Sequence, residues 1–137
     1  MATIKNEYLG ELRTRATHLQ SGNALITDAP IDNQGKGEAF SPTDLLATAF
    51  GSCMLTVMGI AAREHGIDME GVKLETTKIM AADPRRVSRL DVSFSFPKRL
   101  SYTDKEKMIL EKAAKTCPVY YSLHPEIEKN IQFNWEG

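Results

Sequence analysis

The stretch from Leu45 to Ala62 carries no charged residue, and nothing else in this chain constrains its fold as much. Ser41-Pro42-Thr43-Asp44 opens the stretch as a helix, with serine as N-cap, proline in the first turn and an acid three residues on in a capping-box-like arrangement. Gly66, after His65, supplies the left-handed residue that ends it. The helix is apolar all round: Leu46, Ala49, Phe50, Val57 and Ile60 fall on the side of Cys53, and Ala47, Gly51, Leu55, Met58 and Ala62 on the other. Its length would suffice to cross a bilayer, but Thr48, Ser52 and Thr56, with several alanines and glycines, keep it far from lipid-like. No membrane is expected. A single sheet covers only one face of such a helix, so a twofold partner is expected to bury the rest, with Ala47 and Gly51 small enough to let backbones approach.

The remaining segments are read from periodicity. Ile4–Thr17 reads as one long strand, Gln20-Ser21-Gly22-Asn23 as a turn and Ala24–Thr27 as the strand that completes a hairpin. Asp28–Ala39, with Pro30, Asp32, Asn33, Gly35 and Gly37, is expected as a mobile, lid-like loop. Val72–Met80 and Val87–Phe96 form a second hairpin around Ala82-Asp83-Pro84-Arg85. In its second strand, Leu90, Val92, Phe94 and Phe96 alternate with Arg89, Asp91, Ser93 and Ser95. Thr103-Asp104-Lys105-Glu106 is another capping box, opening a helix with the stripe Ile109, Leu110, Ala113, Ala114 and Cys117, so that Cys117 points inward. A short helix from Pro118 to Leu123 and a last strand through Ile131, Phe133 and Trp135 complete the order. The fold class is α+β with antiparallel hairpins predominating, in one domain over residues 1–137.

The chain is 137 residues long and 42% hydrophobic, enough for one core without a disulfide staple. A formal charge of −1 with interspersed signs offers no field for nucleic acid or an anionic membrane. The start, Met1 to Glu7, turns polar at once and lacks the apolar core of a signal peptide. The expected compartment is the cytoplasm, where a cysteine pair is more often catalytic or metal-binding than structural. His18, His65 and His124 are scattered without ligand spacing, so no metal is expected. Neither a phosphate loop nor a serine-hydrolase elbow is present, and no cofactor is expected.

That leaves two cysteines. Cys53 sits mid-helix, where a small core hydrophobe is the ordinary role. Cys117 precedes Pro118, at the start of a helix whose dipole favours thiolate. Two thiols able to cycle between dithiol and disulfide form a redox device without a metal. A peroxidatic thiol also needs a cation and donor for the leaving oxygen, and arginine suits both tasks. Arg13 and Arg15 share one side of the first strand.

The segment Phe40-Ser41-Pro42-Thr43-Asp44-Leu45-Leu46-Ala47-Thr48-Ala49-Phe50-Gly51-Ser52-Cys53, together with Ala113-x-x-x-Cys117-Pro118-Val119, resembles the OsmC/Ohr family of osmotically inducible and organic-hydroperoxide-resistance proteins. The resemblance spans essentially the whole chain. It implies an intertwined homodimer, long helices packed centrally and sheets wrapped around them, with active sites at the subunit interface. It also implies a thiol peroxidase in which Cys53 is peroxidatic, Cys117 resolving and Arg13 the active-site arginine, with Arg15 as the alternative. Organic hydroperoxide is then the substrate, favoured over hydrogen peroxide by Phe50, Met54 and Val57 around Cys53, and a cellular dithiol the reductant. The family's hydroperoxidases carry a glutamate directly after the helix-opening proline. Here that residue is Thr43, followed by Asp44, which places the chain among the general OsmC-like branches. The competing expectation is a non-catalytic small-ligand-binding or redox-sensing protein.

Overall fold

The computed structural model describes residues 1–136. It has six strands, β1 (Ile4–Gly10), β2 (Arg13–His18), β3 (Ala24–Asp28), β4 (Lys73–Ala81), β5 (Arg86–Ser95) and β6 (Glu128–Asn134). Its helices are α1 (Pro42–His65), α2 (Asp104–Ala114) and α3 (Pro118–Ser122), with a 3-10 turn at Ile31–Asn33. The class is α+β, as expected. The chain forms two compact units, Met1–Leu46 and Ala47–Gly137.

The first unit is an antiparallel sheet in the order β1-β2-β3. The segment expected as one strand from Ile4 to Thr17 is instead a tight hairpin, because the backbone reverses through Gly10, Glu11 and Leu12 at φ of 91°, 54° and 63°. A two-residue hairpin turn with positive φ at both central positions, the type I′ pattern, usually takes Asn or Gly there. Here Glu11 and Leu12 occupy them, leaving Gly10 alone to mark the turn in the sequence. Around the second turn, the His18 N–H donates to the Asn23 carbonyl at 2.7 Å, and the register runs from Thr17 opposite Ala24 to Arg13 opposite Asp28. Side-chain alternation gathers Ile4, Tyr8, Ala16 and Leu25 on one face, and Glu7, Arg13, Arg15 and Asp28 on the other.

The loop beyond β3 is tied at several points. Gly35 donates to the Pro30 carbonyl and Gly37 to that of Ala29, while Lys36 pairs with Glu11 at 2.6 Å. A Cβ on residue 35 would overlap the Ala29 carbonyl, so only glycine fits there. The open loop expected from composition is thus a braced one.

In the second unit the sheet order is β4-β5-β6. β4 and β5 pair antiparallel as expected, but β5 and β6 are parallel. The sheet is mixed because α2 and α3 form the helical crossover that parallel neighbours require. Leu90, Val92, Phe94 and Phe96 are buried, and the aromatic rings of Phe96 and Trp135 stack 4.0 Å apart.

Helix α1 buries Ala47, Phe50, Gly51, Met54, Met58 and Ala62, one stripe at three- and four-residue spacing. The faces therefore divide differently from the sequence reading: Phe50 belongs with Ala47 and Met58, and Leu46, Ala49 and Ile60 stay exposed. Gly51 lies close to β4, where an added Cβ would come within 2.8 Å of Leu74 Cδ1. Its smallness serves packing inside the subunit. The helix is long and apolar enough to cross a bilayer, at a mean hydropathy of 1.9, yet this stripe is core of the second unit.

Candidate functional site

Both cysteines belong to the second unit and are free thiols. Cys53 lies between Phe50 one turn before it and Val57 one turn after it on α1. The Cys53 side chain is half-buried, whereas Cys117 is fully buried. Capping starts the helix that leads to the second thiol: Thr103 Oγ1 accepts the Glu106 N–H at 3.1 Å, and the Glu106 carboxylate accepts the Thr103 N–H at 2.9 Å. Leu110 and Ala114 then anchor α2 in the core, delivering Cys117 as the N-cap of α3. The Tyr120 N–H donates to its sulfur at 3.2 Å.

The two thiols are close enough to interact, for the Cys53 side chain is among the groups that perturb Cys117. Burial pushes the Cys117 thiol up, and Cys53 pushes it further, against the opposing N–H of Tyr120. The sequence reading put helix-dipole stabilisation first here. A helix of five residues does not offset loss of water around the sulfur, so the Cys117 thiol is held above its ordinary value.

Of the residues expected to meet a substrate, Phe50 and Met54 are completely buried. Phe50 packs against Tyr120 with ring centroids 6.0 Å apart. Val57 is half-buried and contributes to the rim of the core. These side chains make an apolar backing to the Cys53 turn.

Arg13 and its partners lie in the first unit. Arg13 begins β2 and donates from Nε to Asp28 Oδ1 at 2.7 Å and from Nη2 to Asp28 Oδ2 at 3.0 Å. Nη2 also reaches Glu38 Oε1 at 2.8 Å, and the Glu38 N–H donates to Asp28 Oδ2 at 3.1 Å. Asp28 is 1% exposed. The hydrogen bond from Arg13 holds its carboxyl below the usual range despite burial, and the same pairing raises Arg13. Arg15 is more exposed and pairs with Glu7 at 3.2 Å.

Asp44 completes the N-terminal cap of α1: its carboxylate accepts the Ser41 N–H at 2.9 Å, and its own N–H donates to Ser41 Oγ at 3.1 Å. Thr43 lies within hydrogen-bonding distance of Ser41 Oγ at 3.2 Å. The hydrogen bonds of Arg13 among the described residues thus go to Asp28 and Glu38, which the sequence reading did not single out. Their signal was the register: the turn that pairs Thr17 with Ala24 also sets Arg13 opposite Asp28. The histidines stand apart, His18 with Ser21, His65 with the Ala61 carbonyl and His124 with the Glu126 N–H.

A family model described as OsmC-like protein matches residues 35–132. The chain is 54% identical to a protein from Psychrobacter arcticus described as a candidate osmotic stress induced and detoxification response protein. That match covers 98% of this chain and 96% of that one, at a TM-score of 0.93. It shares its fold with the organic hydroperoxide resistance protein OsmC from Legionella pneumophila, at 16% identity, 98% coverage of each chain and a TM-score of 0.68. A candidate organic hydroperoxide resistance protein from Vibrio cholerae, with captopril in one of its active sites, is 14% identical and matches 98% of this chain and 92% of its own at a TM-score of 0.74. No curated protein matches the chain. With the family model spanning most of its length and a solved relative sharing more than half its residues, this chain belongs to the OsmC-like family.

Proposed function

We propose that the protein is a cysteine-based thiol peroxidase that reduces organic hydroperoxides. The observation that carries this reading is the placing of a half-exposed Cys53 beside a fully buried Cys117, which starts α3. The names of the Legionella and Vibrio relatives support a role in hydroperoxide resistance.

In this reading the Cys53 thiolate attacks one peroxide oxygen, the O–O bond breaks, and the other oxygen leaves as alcohol after taking a proton. Cys53 is then a sulfenic acid. Cys117 attacks that sulfur, forming the disulfide and releasing water that carries the Cys117 proton. A cellular dithiol returns two electrons and two protons to restore both thiols. Arg13 supplies donors to the leaving oxygen: Nη1 has no hydrogen-bond partner among the described residues, whereas Nε and Nη2 are taken. Asp44 and Thr43 support the site through the α1 cap. The working form is a cytoplasmic homodimer, whose second copy covers the exposed α1 residues Leu46, Ala49 and Ile60.

Anaerobic titration of the reduced protein with cumene hydroperoxide tests this. One equivalent is expected to consume both thiols and leave an intramolecular disulfide, about two mass units lighter by intact-mass measurement. Cys53→Ser abolishes peroxide consumption, and Cys117→Ser allows one turnover and accumulates sulfenic acid. Equal reaction of parent and both variants would exclude the dithiol cycle and favour the binding or sensing alternative.

A further inference from the structure

We propose that Asp28 is the positioning residue for Arg13, fixing the plane of its guanidinium and leaving Nη1 as the nitrogen with no partner among the described residues; this rests on the peroxidase reading above. Asp28 ends β3 directly opposite Arg13 at the start of β2, so the two side chains leave the same face of the sheet. The contact is a parallel fork of two charge-assisted hydrogen bonds, at 2.7 and 3.0 Å. Such a fork sets the guanidinium plane as well as its distance, which one point contact does not. The carboxylate is itself immobilised, being 1% exposed and receiving the Glu38 N–H at 3.1 Å.

Burying a carboxylate is unfavourable unless a partner compensates it, and Arg13 is that partner. Glu38 adds a third contact at 2.8 Å, but it is 66% exposed and belongs to the braced loop. Orientation therefore comes chiefly from Asp28. Neither residue is next to Pro42, the place where the family's hydroperoxidases carry their glutamate. Asp28 and Arg13 also lie outside residues 35–132, the part matched by the family model.

The test is the single-turnover rate of cumene hydroperoxide reduction by the reduced parent and by Arg13→Ala, Asp28→Asn, Arg13→Lys and the Arg13→Ala/Asp28→Asn double variant, each accompanied by the alkylation rate of Cys53 with iodoacetamide. Arg13→Ala is expected to slow peroxide reduction about 100-fold or more, and Asp28→Asn about tenfold or more. The double variant should be no slower than Arg13→Ala, because Asp28 acts only through the arginine. Alkylation of Cys53 needs no leaving-oxygen donor, so it should fall much less than the peroxide step in every variant. Arg13→Lys keeps the charge and leaves Asp28 paired, so it reads orientation even where Asp28→Asn does not fold. It is expected to slow the peroxide step about tenfold as well.

A fast Asp28→Asn or a fast Arg13→Lys beside a slow Arg13→Ala would overturn the positioning role while leaving the peroxidase reading intact. Additive losses in the double variant, or parallel losses in alkylation, would overturn it likewise. A parent that consumes no hydroperoxide would instead overturn the peroxidase reading itself, and this inference with it.

Discussion

A buried thiol and a half-exposed one beside it are chemically unequal. Iodoacetamide under native conditions is expected to label Cys53 at least about tenfold faster than Cys117, because Cys117 lacks access and holds its proton. Peptide mapping of a labelling time course measures this, and equal labelling would remove the asymmetry on which the assignment of roles rests. Asp28 gives a second prediction. Its pKa is depressed by the Arg13 hydrogen bond, so the pair's stabilisation is present above the ordinary carboxylate range and is lost as pH falls below about 4. Melting temperature from pH 7 to pH 2 should accordingly fall more steeply at the acid end for the parent than for Asp28→Asn. Both cysteines were legible because their local settings, mid-helix and before proline, are written in adjacent residues. The acid that pairs with Arg13 was not, since it comes from another strand, and only the hairpin register puts Asp28 opposite.

At the scale of elements, both capping boxes were legible as four-residue patterns whose two reciprocal hydrogen bonds both form. Ser41→Ala removes the hydroxyl that accepts the Asp44 N–H and should lower stability by about 1 kcal/mol in urea unfolding. A loss within error would mean that the cap is not holding α1. Leu110 is wholly buried on α2, and Leu110→Ala should cost about 2–5 kcal/mol. Because α2 carries Cys117 toward Cys53, this variant should also slow disulfide formation after peroxide treatment. The turn of the first hairpin was missed because Glu11 and Leu12 hold backbone angles that their side chains do not advertise. The parallel pairing of β6 was missed for a different reason: alternation of Ile131, Phe133 and Trp135 gives strand and face but not direction.

At the scale of the molecule, the two units have very different interiors. The second contains the hydrophobic core, whereas the buried residues of the first are Thr27, Asp28 and Ser41. Ile4, Tyr8 and Leu25 remain exposed on the apolar face of the first sheet, and Ile60 is 53% exposed on α1. Exposed apolar side chains that share one face are candidates for an interaction surface. The proposed dimer would use the Leu46, Ala49 and Ile60 face, and not Gly51, which packs inside the subunit. Ile60→Asp should yield a species near 15.3 kDa by light scattering with the second unit's near-ultraviolet circular dichroism retained. A parent that is already monomeric at micromolar concentration would remove the dimer. The sequence made the need for cover visible through the uncharged helix, but not which stripe stayed bare, since that depends on where the sheet docks. The imbalance between the units also orders events during synthesis. Residues 1–46 leave the ribosome before the segment that holds all the buried hydrophobic side chains, and a three-stranded sheet without an apolar interior has little to hold it. Through that interval the nascent hairpins would present open strand edges, with Tyr8 and Leu25, to water, and such edges favour aggregation until the later segment is made.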